Sequence, residues 1–387
     1  MTQPSSLRHQ VCKVTVMDTT DPDITFDENG VCNYVHEFRD FSERRPDPET
    51  RDAELKRIIG NIKAHGSKRT YDCLLGVSGG VDSSYLACKL HEWGLRPLIV
   101  HFDNGWNSEL AVKNIEELVT RLNLDLETFV VDWEAFRDLQ AAYFRASVVD
   151  IEIPTDHMIF AALNQIAVRH NIQVLISGHN TDTEWLLPKA WYFSKFDLRN
   201  LMDIDRQYGR SSLSKLPKLG VWQQFYYSHF RKIRMVQPLQ YMEFNKARAK
   251  QFLIDEMGWC DYGGKHHESI FTRFYQGYVL PKKFGIDKRK AHLSNLILTG
   301  QITREDALRE LQQPPYDEDQ QDEDKTYVAK KLGFSQEEFE AMLNAPPRDH
   351  REFRTDARDR EFYFAIARAY GSLRRLTGRT KRPDPFA

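Results

Sequence analysis

Tyr71-Asp72-Cys73-Leu74-Leu75-Gly76-Val77-Ser78-Gly79-Gly80-Val81-Asp82-Ser83-Ser84 decides how the rest of this 387-residue chain is read. Its first half is a short apolar run with the composition of a buried strand. Its second half is a Ser/Gly turn leading into a helix over 82–93, which stops at Gly94. Upstream, Leu55, Ile58, Ile59 and Ile62 recur at helical spacing over 51–65. Downstream the same alternation continues. Strands are expected at 97–102, 128–131, 173–176 and 235–239, and helices at 108–122, 133–147 and 156–169. Short apolar strands separated by helices predict an α/β fold with a parallel, doubly wound sheet covered on both faces.

Length and composition agree with a globular enzyme of two or three parts. The chain is 41% hydrophobic and 28% charged, and its net charge of −2 gives no general pull toward nucleic acid or membrane. No apolar run reaches the ~18 residues of a membrane span, and the first twenty residues lack the apolar core of a signal peptide. The five cysteines are scattered and odd in number, which favours a reducing, cytoplasmic setting over a disulfide scaffold.

Three regions flank or interrupt the α/β pattern. Residues 1–50 are rich in turn formers and read as a small hairpin-like appendage containing Cys12 and Cys32. Residues 195–234, an insertion in the central 51–300 domain, carry nine Lys/Arg against three Asp, interleaved with Phe196, Tyr208, Trp222, Phe225, Tyr226, Tyr227 and Phe230. That stretch reads equally as a solvated insertion or as a surface for a polyanionic ligand. Residues 301–387 are helical, broken by six acids between Asp317 and Asp324 that read as an exposed loop, and end in a basic run from Arg374 to Arg382.

The chemistry is concentrated in Ser78-Gly79-Gly80-Val81-Asp82-Ser83-Ser84. Two glycines let the backbone approach oxyanions, and the helix start adds free N–H groups and the positive end of its dipole. The serines add hydroxyl donors. No Gly-Lys-Ser/Thr follows, so this is not a Walker A loop. The missing lysine suits a pyrophosphate leaving group better than γ-phosphoryl transfer.

In its βαβ position this string resembles the PP-loop ATP pyrophosphatases, which include GMP, asparagine and argininosuccinate synthetases and tRNA thiolases. Further stretches resemble the N-acetyl sugar amidotransferases of lipopolysaccharide (O-antigen) biosynthesis within that superfamily. They are the run from Val16 to Asp27, His101-Phe102-Asp103-Asn104-Gly105-Trp106-Asn107, Ile153-Pro154-Thr155-Asp156-His157, and Tyr262-Gly263-Gly264-Lys265-His266-His267-Glu268-Ser269 with Phe271-Thr272-Arg273-Phe274. The resemblance runs from the N-terminus to about residue 300. It implies an ATP- and Mg²⁺-dependent, AMP-forming enzyme that turns the acetamido group of a nucleotide-activated sugar into an acetamidino group. It also implies ammonia from glutaminase and cyclase-like partner proteins, since no glutaminase signature is evident here.

By that resemblance Ser78, Gly79, Gly80, Val81, Asp82, Ser83 and Ser84 bind ATP phosphates, with Asp82 orienting the loop or holding Mg²⁺. Asp103 and Asn104, and likewise Gly178, His179 and Asp182, leave strands at their carboxyl ends, where open α/β sheets place ligands. They are candidates for ATP, and Asp182 for Mg²⁺. Lys265, His266, His267, Glu268 and Arg273 form the candidate catalytic cluster. Lys265 or Arg273 would stabilise charge on the α-phosphate, and Glu268 or a histidine would take a proton from attacking ammonia. Read without the resemblance, the same cluster is an exposed, mixed-charge helix start. The family's paired Cys-x-x-Cys is broken here: Thr15 and Val35 stand where second cysteines would, so Cys12 and Cys32, even helped by His36, make an incomplete zinc site. Two other functions stay open, a tRNA-modifying thiolase or lysidine-type synthetase and a non-enzymatic adenine-nucleotide-binding regulator. Nucleic acid is not the expected partner.

Overall fold

Five short strands form the centre of the molecule: β1 (Cys73–Val77), β2 (Pro97–Asp103), β3 (Leu126–Val130), β4 (Val174–Ile176) and β5 (Arg234–Val236). All pair in parallel, in the order β3-β2-β1-β4-β5. In this computed structural model residues 9–263, 268–363 and 365 are described. The expected parallel α/β sheet is present, with boundaries shifted by a few residues. The last strand ends at Val236 because Pro238 opens a 3₁₀ turn, Pro238–Tyr241.

The helices are α1 (Asn33–Arg44), α2 (Pro48–Gly66), α3 (Val81–Glu92), α4 (Glu109–Leu122), α5 (Trp133–Ala146), α6 (Ile153–Arg169), α7 (Thr181–Glu184) and α8 (Leu198–Tyr208). They continue with α9 (Val221–Phe225), α10 (Lys246–Met257), α11 (Ile270–Phe274), α12 (Lys288–Leu298), α13 (Arg304–Leu311), α14 (Glu318–Leu332) and α15 (Gln336–Asn344). Alternate strand residues face opposite layers, as the pleat requires. Cys73, Leu75 and Val77 pack on Ile58 and Ile62 of α2, Leu86 and Leu90 of α3, Ile115 of α4 and Leu253 of α10. Leu74, Leu98, Val100 and Leu175 pack on Leu163 and Ile166 of α6. Burial on both faces explains why β1, β2 and β4 are nearly continuous apolar runs, whereas β3, at the sheet edge, alternates exposed and half-buried positions.

Two expectations change. Residues 33–44 are helical, and the N-terminal segment is built into a core rather than perched on it. Cys12, Met17, Cys32 and Val35 share one apolar cluster with Phe136, Tyr143, Phe271, Phe274 and Phe339. The acidic stretch from Asp317 is the start of α14, not a loop. Asp317 caps the helix by accepting from Gln320 N, and Glu318 and Asp319 sit in the first turn, where the helix dipole favours negative charge. Gln321 and Asp324 of that stretch are buried. Among the described residues no helix is long and apolar enough to cross a membrane.

Candidate functional site

Strand order reverses between β1 and β4, the switch point at which open α/β sheets leave a crevice at their carboxyl edge. The register Leu75↔Ile176 brings the two exits side by side. The Ser78–Ser84 turn and the Ser177–Asn180 turn are therefore neighbours. A Cβ added at Gly178 would lie 3.5 Å from Asp82 C and from Ser83 N.

Gly79 is in the left-handed region, at φ +80°, and a Cβ there would fall 2.5 Å from Ala111 O of α4. Only glycine fits. Trp259 holds the turn from above, its Nε1 donating to Gly79 O at 2.9 Å. Gly80 is the N-cap of α3 and brings no side-chain cap, whereas Ser108 caps α4 and Asp132 caps α5. Among the described residues no N-cap side chain takes the opening amides of α3, which suits them to an anion. Ser78 Oγ accepts from Gly80 N at 3.4 Å, and Ser83 Oγ donates to Gly80 O at 3.3 Å. Ser84 Oγ is buried with no hydrogen-bond partner among the described residues. Beneath the turn, His101 Nδ1 donates to Val77 O at 3.3 Å, and Asn107 Nδ2 donates to its Nε2 at 3.2 Å. Both nitrogens are engaged, so this imidazole braces the loop.

Carboxylates flank the turn. Asp82 stands 3.6 Å from Lys246 Nζ at the start of α10. Glu268 is brought alongside by backbone stitching: Ser108 N donates to Glu268 O at 2.9 Å and Ile270 N to Trp106 O at 3.0 Å. A Cβ at Gly80 would lie 3.5 Å from Glu268 Oε1 and 3.4 Å from the Tyr262 hydroxyl. Burial, then the charges of Glu268 and Asp82, push the Tyr262 phenol above its ordinary range, so it stays a neutral donor. The Asp82 carboxylate at the start of α3 fits Mg²⁺, which is held by one or two carboxylates plus substrate phosphates, and leaves Glu268 for proton transfer.

The remaining predicted residues are distributed as follows. Asp103 Oδ1 accepts from Gly105 N and Asn104 Oδ1 from Trp106 N, so both shape the loop after β2. Asp182 is a clasp: it pairs with Arg45 at 2.7 Å and accepts from Phe244 N at 3.2 Å, leaving it poorly placed as an open cation ligand. His179 Nδ1 bonds Glu184 at 2.9 Å, on the wall of a cavity of about 390 Å³ beside the switch point. Arg273 lines the same cavity, paired through Nε and Nη2 with Asp324, each at 2.8 Å. Lys265, His266 and His267 lie outside the described residues, as does the basic run from Arg374. Cys12 and Cys32 do meet: Cys32 N donates to Cys12 Sγ at 3.3 Å and Thr15 Oγ1 lies 3.8 Å from Cys32 Sγ. His36 turns away to Asp27 at 3.0 Å, so two thiols and a hydroxyl do not make a tetrahedral zinc donor set. In the 195–234 stretch Leu201, Ile204, Leu213 and Leu216 are core residues, while Trp222, Tyr226 and Phe230 are exposed.

Trp259, Lys246, His101 and Asp324 were given no role by sequence reasoning. Trp259 is 180 residues from the glycine it holds, and no local pattern marks such a pairing.

Residues 268–367 match the family described as LPS biosynthesis protein WbpG-like, C-terminal domain. No curated protein matches the chain. Among solved structures, NMN synthetase from Francisella tularensis is 14% identical, with 75% of this chain and 98% of that one covered and a TM-score of 0.35. NH3-dependent NAD synthetase from Campylobacter jejuni is 16% identical, covering 34% and 58% with a TM-score of 0.27. U34-tRNA thiolase NcsA from Methanococcus maripaludis is 13% identical, covering 67% and 80% with a TM-score of 0.33. The segment that begins at Glu268, against the phosphate loop, and runs to residue 367 is similar to the WbpG-like C-terminal domain of LPS biosynthesis proteins.

Proposed function

We propose that this chain is an ATP-dependent, AMP-forming amidotransferase acting on the acetamido group of a nucleotide-activated sugar in lipopolysaccharide O-antigen biosynthesis. The observation that carries the reading is the uncapped start of α3, led by a glycine that tolerates no Cβ and flanked by the Asp82 and Glu268 carboxylates. The LPS biosynthesis match of residues 268–367 supports the sugar context.

The acetamido oxygen attacks the α-phosphorus of ATP, the α–β bond breaks, and pyrophosphate leaves. The amides of Val81, Asp82 and Ser83 and the hydroxyls of Ser78 and Ser84 receive that negative charge without reorganising, because the fold has already fixed them. Mg²⁺, held by Asp82, would neutralise charge on the phosphates. Ammonia then attacks the adenylated carbon and AMP leaves, producing the amidine. The surplus proton passes to Glu268, which the Tyr262 hydroxyl and the 268–270 stitching orient. Lys265, His266 and His267 remain proposed members of this cluster. Ammonia arrives from glutaminase and cyclase-like partner proteins.

Incubation with ATP, Mg²⁺, an ammonium salt and acetamido sugar nucleotides should release AMP only when a sugar is present. Substrate-dependent ADP would sink the reading. AMP formation that required tRNA instead would transfer the assignment to the tRNA-modifying class, and nucleotide binding with no turnover would leave a regulator.

A further inference from the structure

The 390 Å³ cavity has no role in the loop chemistry just described, yet it shares two walls with it. The turn after β4 touches the phosphate loop through Gly178, and the next residue, His179, lines the cavity. The other shared wall carries Glu268 beside Gly80 and, five and eight residues on, Arg273 and Gln276 facing the cavity. The third wall is the first turn of α12.

That turn reads Lys288-Arg289-Lys290 with no acid, where the helix dipole favours negative charge. Two of the three cations are neutralised: Arg289 pairs with Asp287 at 2.8 Å, and Lys290 with Asp18 at 2.5 Å. Among the described residues Lys288 has one ion-pair partner, Glu152 at 3.9 Å, and lies 5.6 Å from the Tyr275 ring; the Glu152 carboxylate already accepts from Gln276 at 2.9 Å. Arg273 keeps Nη1 without a hydrogen-bond partner among the described residues, while Asp324 holds its other edge and the Tyr316 ring lies 5.6 Å from its guanidinium. Two cations with donors to spare therefore line one half-enclosed space. Its volume is in the range of small-molecule pockets, ~300–1,000 Å³.

We propose that this cavity binds the acceptor substrate through its diphosphate, with Lys288 and Arg273 as the anion contacts, so that the linked sugar reaches the phosphate loop. The proposal rests on the amidotransferase reading for the identity of the acceptor. The cavity's preference for a diphosphate rests on Arg273, Lys288 and Arg289, set against the Glu184 and Glu310 carboxylates that also line it, Glu184 being paired with His179.

The test loads the protein with α,β-methylene-ATP and Mg²⁺, filling the loop, and then titrates a uridine diphosphate N-acetylhexosamine by calorimetry. Lys288→Gln should weaken the sugar nucleotide about tenfold or more, the size of one charge-assisted hydrogen bond. Affinity for the ATP analogue should not change. Arg273→Lys, which keeps a cation opposite Asp324, should weaken the same ligand. Unchanged sugar-nucleotide affinity in both variants overturns the proposal. So does an equal loss of the ATP analogue, which would make the cavity part of the nucleotide site. If the wild type ignores the sugar nucleotide but binds methylenediphosphonate in a Lys288-dependent way, the cavity assignment stands and the acetamido-sugar reading fails. If it binds neither, the cavity assignment falls.

Discussion

Gly79→Ala tests the phosphate loop most sharply, because the structure supplies both the cost and a control. The new methyl would adopt φ +80°, a left-handed conformation costing ~1–2 kcal/mol for an L-residue. It would also lie 2.5 Å from Ala111 O and 3.0 Å from Ala111 C and Cα. These are backbone atoms in the first turn of α4 and cannot swing aside. Relief requires the turn or the helix to move by about 1 Å, an overpacking cost of ~1–3 kcal/mol. The summed destabilisation is ~2–5 kcal/mol. Gly285→Ala is the control. Its φ is +68°, but nothing lies within 4 Å of the added carbon, so it should cost only the conformational ~1–2 kcal/mol. Urea unfolding of both variants isolates the clash. AMP formation should fall about 100-fold in Gly79→Ala, since a displacement of ~1 Å at the loop misaligns the phosphates, and should be unaffected in Gly285→Ala. If Gly79→Ala unfolds like the control and forms AMP at the wild-type rate, the loop is only a turn.

Burial and the nearby Asp138 charge raise the Asp205 carboxyl from 3.8 to about 6. The folded chain then holds that proton where the unfolded chain has lost it, and stability falls as pH rises through that window. Asp205→Asn should therefore raise the urea midpoint at pH 8 and not at pH 4, and an equal gain at both would refute the cause. Asp324→Ala leaves the Arg273 cation half-buried and should cost ~3–5 kcal/mol, whereas Arg273→Met with Asp324→Leu should recover part of it in thermal melts. Elemental analysis should find well under one zinc per chain, and Thr15→Cys with Val35→Cys should raise it; stoichiometric, chelator-resistant zinc in the wild type would require ligands other than Cys12 and Cys32. The chain alone should not hydrolyse glutamine. Its ammonium-supported AMP formation should climb with pH as free ammonia increases, and a flat profile would mean that ammonia does not attack unaided.

The parallel sheet was legible because its signals are local. Apolar runs of strand length, amphipathic helices between them and a Ser/Gly turn after the first strand each occupy a few consecutive residues. That the turn is an anion cradle was also legible, since glycine spacing and a helix start are read within seven positions. Helix α14 was misread for a related reason: six acids in eight residues look solvated, and only the fold shows that Gln321 and Asp324 turn inward. The N-terminal segment likewise read as an appendage, because its contacts are with Lys290, Ser294 and Arg304, far along the chain. What only tertiary structure decided is which distant residues complete the site. Trp259 bonds Gly79, Glu268 reaches Gly80 through the strand-exit loop after β2, and Arg273 receives Asp324. Such pairings depend on strand order and helix crossing rather than on spacing along the chain. A motif can therefore identify the loop, but the walls of the crevice exist only once the sheet has closed around it.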